Sequence, residues 1–216
     1  MNKRWLLALP FAAVVLAATA CSPTGNSQPS STSPASPAAA ASSPASPAAS
    51  TASPAADPWA LVPANGASNI RAAGLDILDA EGAAEHYHVH LDVFDDGRSI
   101  QVPAEIGFSF GSNGTPNGIS ALHVHDGSGI VHIEAPMPGE SYTLGQVLSE
   151  WGVLDGSDPT AGSAHSSSKD WTVYVNGIKH DGDLRDVVLK AHQEIVLVHG
   201  APPSPVPATF AFPEGL

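Results

Sequence analysis

Residues 121–136, ALHVHDGSGIVHIEAP, decide how the rest of the chain is read. Two short alternating runs flank a Gly-Ser-Gly turn, which is the pattern of a β-hairpin. Whether the turn is Gly127-Ser128 or Asp126 to Gly129, one register results: His125 opposes Ile130, His123 opposes His132, and Ala121 opposes Glu134. Alternate residues of a strand share a face, and directly opposed side chains lie roughly 5 Å apart. His123, His125 and His132 are therefore expected to crowd one face, with Glu134 one step further along. Leu122, Val124, Val131 and Ile133 form the other face and read as core. Imidazoles gathered beside a carboxylate are the ligand set of a zinc or copper(II) ion. Glu134 or Asp126 would serve as the fourth ligand, or would fix the tautomer of one imidazole.

Upstream, HYHVHLDVF (86–94) alternates in the same way, with His86, His88, His90 and Asp92 on one face and Tyr87, Val89, Leu91 and Val93 on the other. Asp95-Asp96-Gly97 is a turn, and Arg98 to Val102 returns as its partner strand. His86 and His90 are roughly 13 Å apart along an extended strand, so this strand lends at most two of its three histidines to one ion. His88 and His90 are the two assigned to the metal set, beside His123, His125, His132 and Glu134. His165, His180 and His192 fall in loops or turns and read as solvated, whereas His199 ends the last strand and is a further candidate. Any one histidine is more often a solvent-face residue than a ligand. Six on one predicted side favour a metal over a polar or pH-sensitive surface.

Downstream, Pro103 to Asn117 and Pro136 to Glu140 are loop-like. SYTLGQVLSEWGVL (141–154) reads as a helix: Thr143 and Gln146 have capping-box spacing, Leu144, Val147, Leu148 and Trp151 make an apolar stripe, and Gly152 is the stop. Trp171 to Val175 is a strand, Asn176-Gly177 a tight turn, Asp183 to Ala191 a helical turn, and Glu194 to His199 a nearly all-apolar last strand. Before the first histidines, Pro58 to Val62 carries an aromatic anchor in Trp59, and Leu75 to Ala84 is a short helix or a loop. The expected fold class is α+β, a mostly antiparallel sheet of β-hairpins with one packed helix. VYVNGIKHDGDLRDVVLKAHQEIVLVHG (173–200) resembles the C-terminal half of small β-grasp domains such as the sulfur-carrier proteins, which implies a β-grasp-like layout. The Gly-Gly terminus of those carriers is missing, so no function carries over. HVHD…GIVHIE resembles a stretch of secreted His-rich bacterial proteins, a resemblance that brings no activity with it.

The first twenty of the 216 residues have a basic start at Lys3 and Arg4, an apolar run from Trp5 to Ala18 and small residues before Cys21. This is the form of a secretory signal peptide, and its apolar core is short for a membrane span. The ending AATAC resembles the signal of bacterial lipoproteins, which implies lipidation of Cys21 and anchoring on the extracytoplasmic face of the cell membrane. Ala18-Thr19-Ala20 also fits ordinary cleavage, which would release a secreted protein. Residues 21–56 form the tether: Ser22 to Ala56 is almost entirely Ser, Pro, Ala and Thr with SPAS repeated, a composition that buries too little surface to order and reads as disordered. Residues 57–200 are the globular β-rich domain and 201–216 a Pro-rich tail.

Cys21 is the only cysteine, so intrachain disulfides and thiolate metal sites are excluded and any transition-metal site must use His and carboxylate. With 8 basic against 21 acidic residues the net charge is −13, which disfavours nucleic acid and attracts cations. His123-Val124-His125 begins like a cupin motif, but the glutamate that should follow is replaced by Gly129 and Ile130. No H-E-x-x-H, G-x-S-x-G or phosphate-cradling Gly loop occurs. Three functions fit these residues. The first is a membrane-tethered module that captures, buffers or transfers copper(II) or zinc. The second is a metal-dependent hydrolase with Glu134 as general base, and the third a non-catalytic envelope interaction domain.

Overall fold

The computed structural model describes residues 56–216. The expected signal segment, Cys21 and nearly all of the tether therefore lie outside the described residues. Among those described, no helix is long and apolar enough to cross a membrane.

The architecture is mostly sheet, of mixed topology, with few helices, and is broadly α+β. Its axis is β1 (Glu85–Asp95), where the alternation seen in the sequence puts Val89, Leu91 and Val93 into the core at 0–2% exposure. Along its first half β1 pairs antiparallel with β6 (Ile130–Ala135), which in turn pairs with the two-residue β5 (Leu122–His123). Its last residues pair with β2 (Arg98–Ile100). On its other side β1 runs parallel to β9 (Glu194–His199), which carries β7 (Thr172–Val175) and then β8 (Ile178–Lys179). Seven strands result, in the order β5-β6-β1-β9-β7-β8 with β2 also on β1. The β1–β9 pair departs from the expected antiparallel pattern. β9 is buried on both faces, as its unbroken apolar run requires of a central parallel strand.

Helix α2 (Leu144–Trp151) lays Leu144, Val147, Leu148 and Trp151 against this sheet. The Thr143 N–H donates to Gln146 Oε1 at 2.9 Å, and Gly152 ends the helix at φ 81°, where a Cβ is disfavoured. Trp59 is buried between Trp151 and Trp171, with ring centroids 5.6 and 5.5 Å away. A further helix, α1 (Gly66–Ala72), precedes residues 75–84, which are irregular apart from a bridge at Leu78. The expected loop 103–117 contains β3 (Phe108–Phe110) and the start of β4 (Pro116–Ile119), which pair as a small second sheet. β5 is short because the N–H and C=O of Val124 turn away from β6, to Ile106 and Glu105.

Glu150, on α2, is 1% exposed, and neither carboxyl oxygen makes a well-formed hydrogen bond. Burial pushes its pKa up to about 8, and the nearby Ser120 hydroxyl offsets this only in part. The native state then holds a proton that the unfolded chain releases near pH 4.5. Stability therefore falls as pH rises from about 4.5 to 8, by at most roughly 1.4 kcal/mol per pH unit. Glu150→Gln should flatten this slope and raise stability at pH 8 in urea unfolding followed at several pH values. An unchanged slope would contradict the assignment.

Candidate metal centre

Register alone builds the core of the site. His88 of β1 pairs with His132 of β6, and His132 pairs on its other side with His123 of β5. Cross-strand partners share a face, so three imidazoles stand in one row across three strands. In the next row His86 pairs with Glu134. This is no wet sheet face, because His88 is 3% exposed and His123 fully buried. Phe108 of β3 roofs the cluster, with its ring centroid 5.9 Å from His123 and 5.8 Å from His125.

The donor atoms converge. His86 Nε2 is 3.0 Å from His88 Nε2, which is 3.1 Å from His132 Nδ1. Glu134 Oε1 closes the circuit at 3.5 Å from His132 Nδ1 and 3.1 Å from His86 Nε2. Glu134 Oε1 is also 3.9 Å from His123 Nε2. Protons cannot satisfy this arrangement, because each ring nitrogen offers one proton or one lone pair. His86 Nε2 and His88 Nε2 each meet two partners. An ion bonded at about 2.0–2.1 Å holds neighbouring ligands about 3 Å apart at right angles and about 3.4 Å apart at the tetrahedral angle. The observed separations span that range.

His123 is the sharpest case. Its Nδ1–H donates to the Ser120 carbonyl at 3.0 Å, which fixes the tautomer, while the buried Nε2 has no hydrogen-bond partner. An orphaned lone pair facing other ligands is costly unless a cation takes it. Burial, aided by neighbouring imidazoles, lowers the His88 pKa. Burial also drives His123 down to about 4 against the Ser120 hydrogen bond, and His132 down to about 3 together with His88 and His123. All three rings are neutral at pH 7, the form that binds metal. The Glu134 pKa is raised by burial and by the charge of Glu81.

Among the described residues, four groups of side chains could hold an ion: His123, His125, His132 and Glu134; His86, His88 and His132; His90, Asp92 and Glu194; and Asp95, Asp96 and His199. Four of the six expected ligands (His123, His125, His132 and Glu134) thus share one group, and His88 adjoins it through His132. His90 does not join them. β9 begins beside it, so its Nδ1 meets Glu194 Oε2 at 2.9 Å and its Nε2–H donates to the Ser128 carbonyl at 3.0 Å. Burial opposes charging His90, yet the hydrogen bond and charge of Glu194 prevail and raise its pKa. Phe210 of the tail lies flat on the ring at 3.7 Å. His199 is held by Asp95 at 2.8 Å, at the far end of β1.

Comparison with protein-family models, with curated proteins and with solved structures finds no match.

Two residues enter the site that the expected ligand set omits. His86 takes the place given to His90. Glu81, half-exposed, has its Oε1 3.4 Å from His125 Nε2 and 4.0 Å from His123 Nε2. Gly82 presses so closely on the backbone of Glu134 and Ala135 that a Cβ would collide with it. That approach brings Glu81 over the histidines, and an acidic residue before a glycine just ahead of the first strand is its only trace in the sequence.

His90→Ala separates the two environments. It leaves the Glu194 carboxylate buried without its partner, so unfolding free energy should fall by roughly 3–5 kcal/mol while the number of ions bound per chain stays the same. Loss of bound metal in a folded His90→Ala variant would place His90 in the site after all.

Proposed function

We propose that the chain is a metal-binding module that captures copper(II) or zinc outside the cytoplasm for buffering or transfer, tethered to the membrane through Cys21. The observation that carries this reading is the buried, unpartnered Nε2 of His123 facing His125, His132 and the two carboxylates Glu134 and Glu81. Neutral imidazoles, a carboxylate at bonding range and the absence of any thiol among the described residues suit a borderline divalent ion. The circuit His86, His88, His132, Glu134, with edges of 3.0–3.5 Å, supports the near-right-angle geometry that copper(II) prefers. The net charge of −13 favours cation capture. The β-grasp-like layout belongs to the same reading. Its support is the parallel pairing of the first and last long strands, with α2 carried between the β6 and β7 arms.

Binding to the folded chain should stabilise it: at a free ion concentration 100-fold above Kd the gain is about 2.7 kcal/mol. Calorimetric titration of the metal-free chain with copper(II) and with zinc should show stoichiometric uptake and a raised melting temperature, both reversed by chelator. The double variant His123→Ala with His132→Ala should lose both effects. Unchanged uptake in that variant would refute the assignment.

A further inference from the structure

The donors exceed the needs of one ion. Five imidazoles and two carboxylates meet in the patch, whereas one zinc or copper(II) ion takes about four ligands. They also form two groups, His86-His88-His132 and His123-His125-His132-Glu134, each with donor atoms within 4.8 Å of one another, which overlap at His132 and adjoin at Glu134.

Ring orientations repeat the division. His86 and His132 are nearly parallel, 27° apart with centroids 6.3 Å apart, and His88 stands across both at 67° and 89°. On the other side His123 and His132 are nearly parallel, at 14° and 5.3 Å, and His125 stands across both at 81° and 87°. The same motif of two parallel rings and one crossing ring thus occurs twice, hinged on His132. His132 Nδ1 is turned to His88 and also lies 3.5 Å from Glu134 Oε1. Glu134 lies beside both sets, 3.1 Å from His86 and 3.9 Å from His123.

We infer that the patch binds two divalent cations side by side, one among His86, His88 and His132 and the other among His123, His125 and Glu134. This rests on the metal-binding reading and adds its stoichiometry: neighbouring ions that share His132 or Glu134 at their boundary. Glu81 stands at the second position, half-exposed and close to His125, as an extra oxygen ligand from the mouth of the site.

The test is titration of the full chain with copper(II) chloride, counted by native mass spectrometry and followed by electron paramagnetic resonance. His86 and His125 have side chains 53% and 43% exposed, so His86→Ala and His125→Ala should fold normally. The wild type should bind two ions and each variant one. Spin coupling should weaken the copper signal of the doubly loaded wild type, and each variant should show an ordinary isolated copper(II) spectrum. One ion in the wild type would overturn the inference and leave the metal-binding reading standing. No ion would overturn both. Two ions retained in both variants, or none in either, would refute the division into two sets.

Discussion

A single register, His88 opposite His132 opposite His123, is the constraint on which the structure depends. Shifting β6 by one residue against either neighbour would turn His132 and Glu134 into the core and bring Val131 and Ile133 out. The apolar face forbids this, because Val131 and Ile133 pack in the same cluster as Val89, Leu91 and Leu122. The aliphatic side chains that drive folding therefore also set the spacing of the imidazoles on the reverse face. The imidazoles are positioned at no separate cost in chain entropy, since the residues between them are already ordered by the core.

Burial then sets the chemistry. Imidazoles withdrawn from water and crowded by one another stay neutral, and the backbone bond to Ser120 turns the His123 lone pair inward. Two residues further along β1, His90 has the same sequence context and the opposite chemistry. There a carboxylate and a carbonyl claim both ring nitrogens, and the hydrogen bond and charge of Glu194 raise the pKa of the ring. One strand thus carries clustered imidazoles at one end and a buried His–Glu hydrogen bond at the other. The difference comes from what lies alongside: on β6, His86 and His88 face Glu134 and His132 whereas His90 faces Ile130, and β9 begins beside His90 with Glu194.

That difference explains what the sequence could disclose. The pairing of His123 with His132 follows from a local turn and a period of two, so it was legible. The alternation of β1 was equally plain, and its inward Val89, Leu91 and Val93 are core residues. Which two histidines of β1 reach the cluster depends on its register with a strand about forty residues away, and no local signal encodes that. The parallel β1–β9 pairing is more remote still, with partners about a hundred residues apart. Glu81 sits in an irregular segment without periodicity, and only the close seating of Gly82 on β6 brings it over the site. Strands β3, which carries the roofing Phe108, and β4 lie in a Gly- and Asn-rich stretch that reads as loop, because their pairing is short and bulged.

If the buried histidine row is a metal-ligand set, a bound ion must be found within it. Crystals of the copper(II)- or zinc-loaded protein, with diffraction collected on either side of the metal absorption edge, would show where the ion sits. An anomalous peak is expected roughly 2.0–2.2 Å from His123 Nε2 or from the His88 and His132 nitrogens that face each other. A peak only at the Asp95–Asp96–His199 group or at scattered surface histidines, with the row empty, would contradict it.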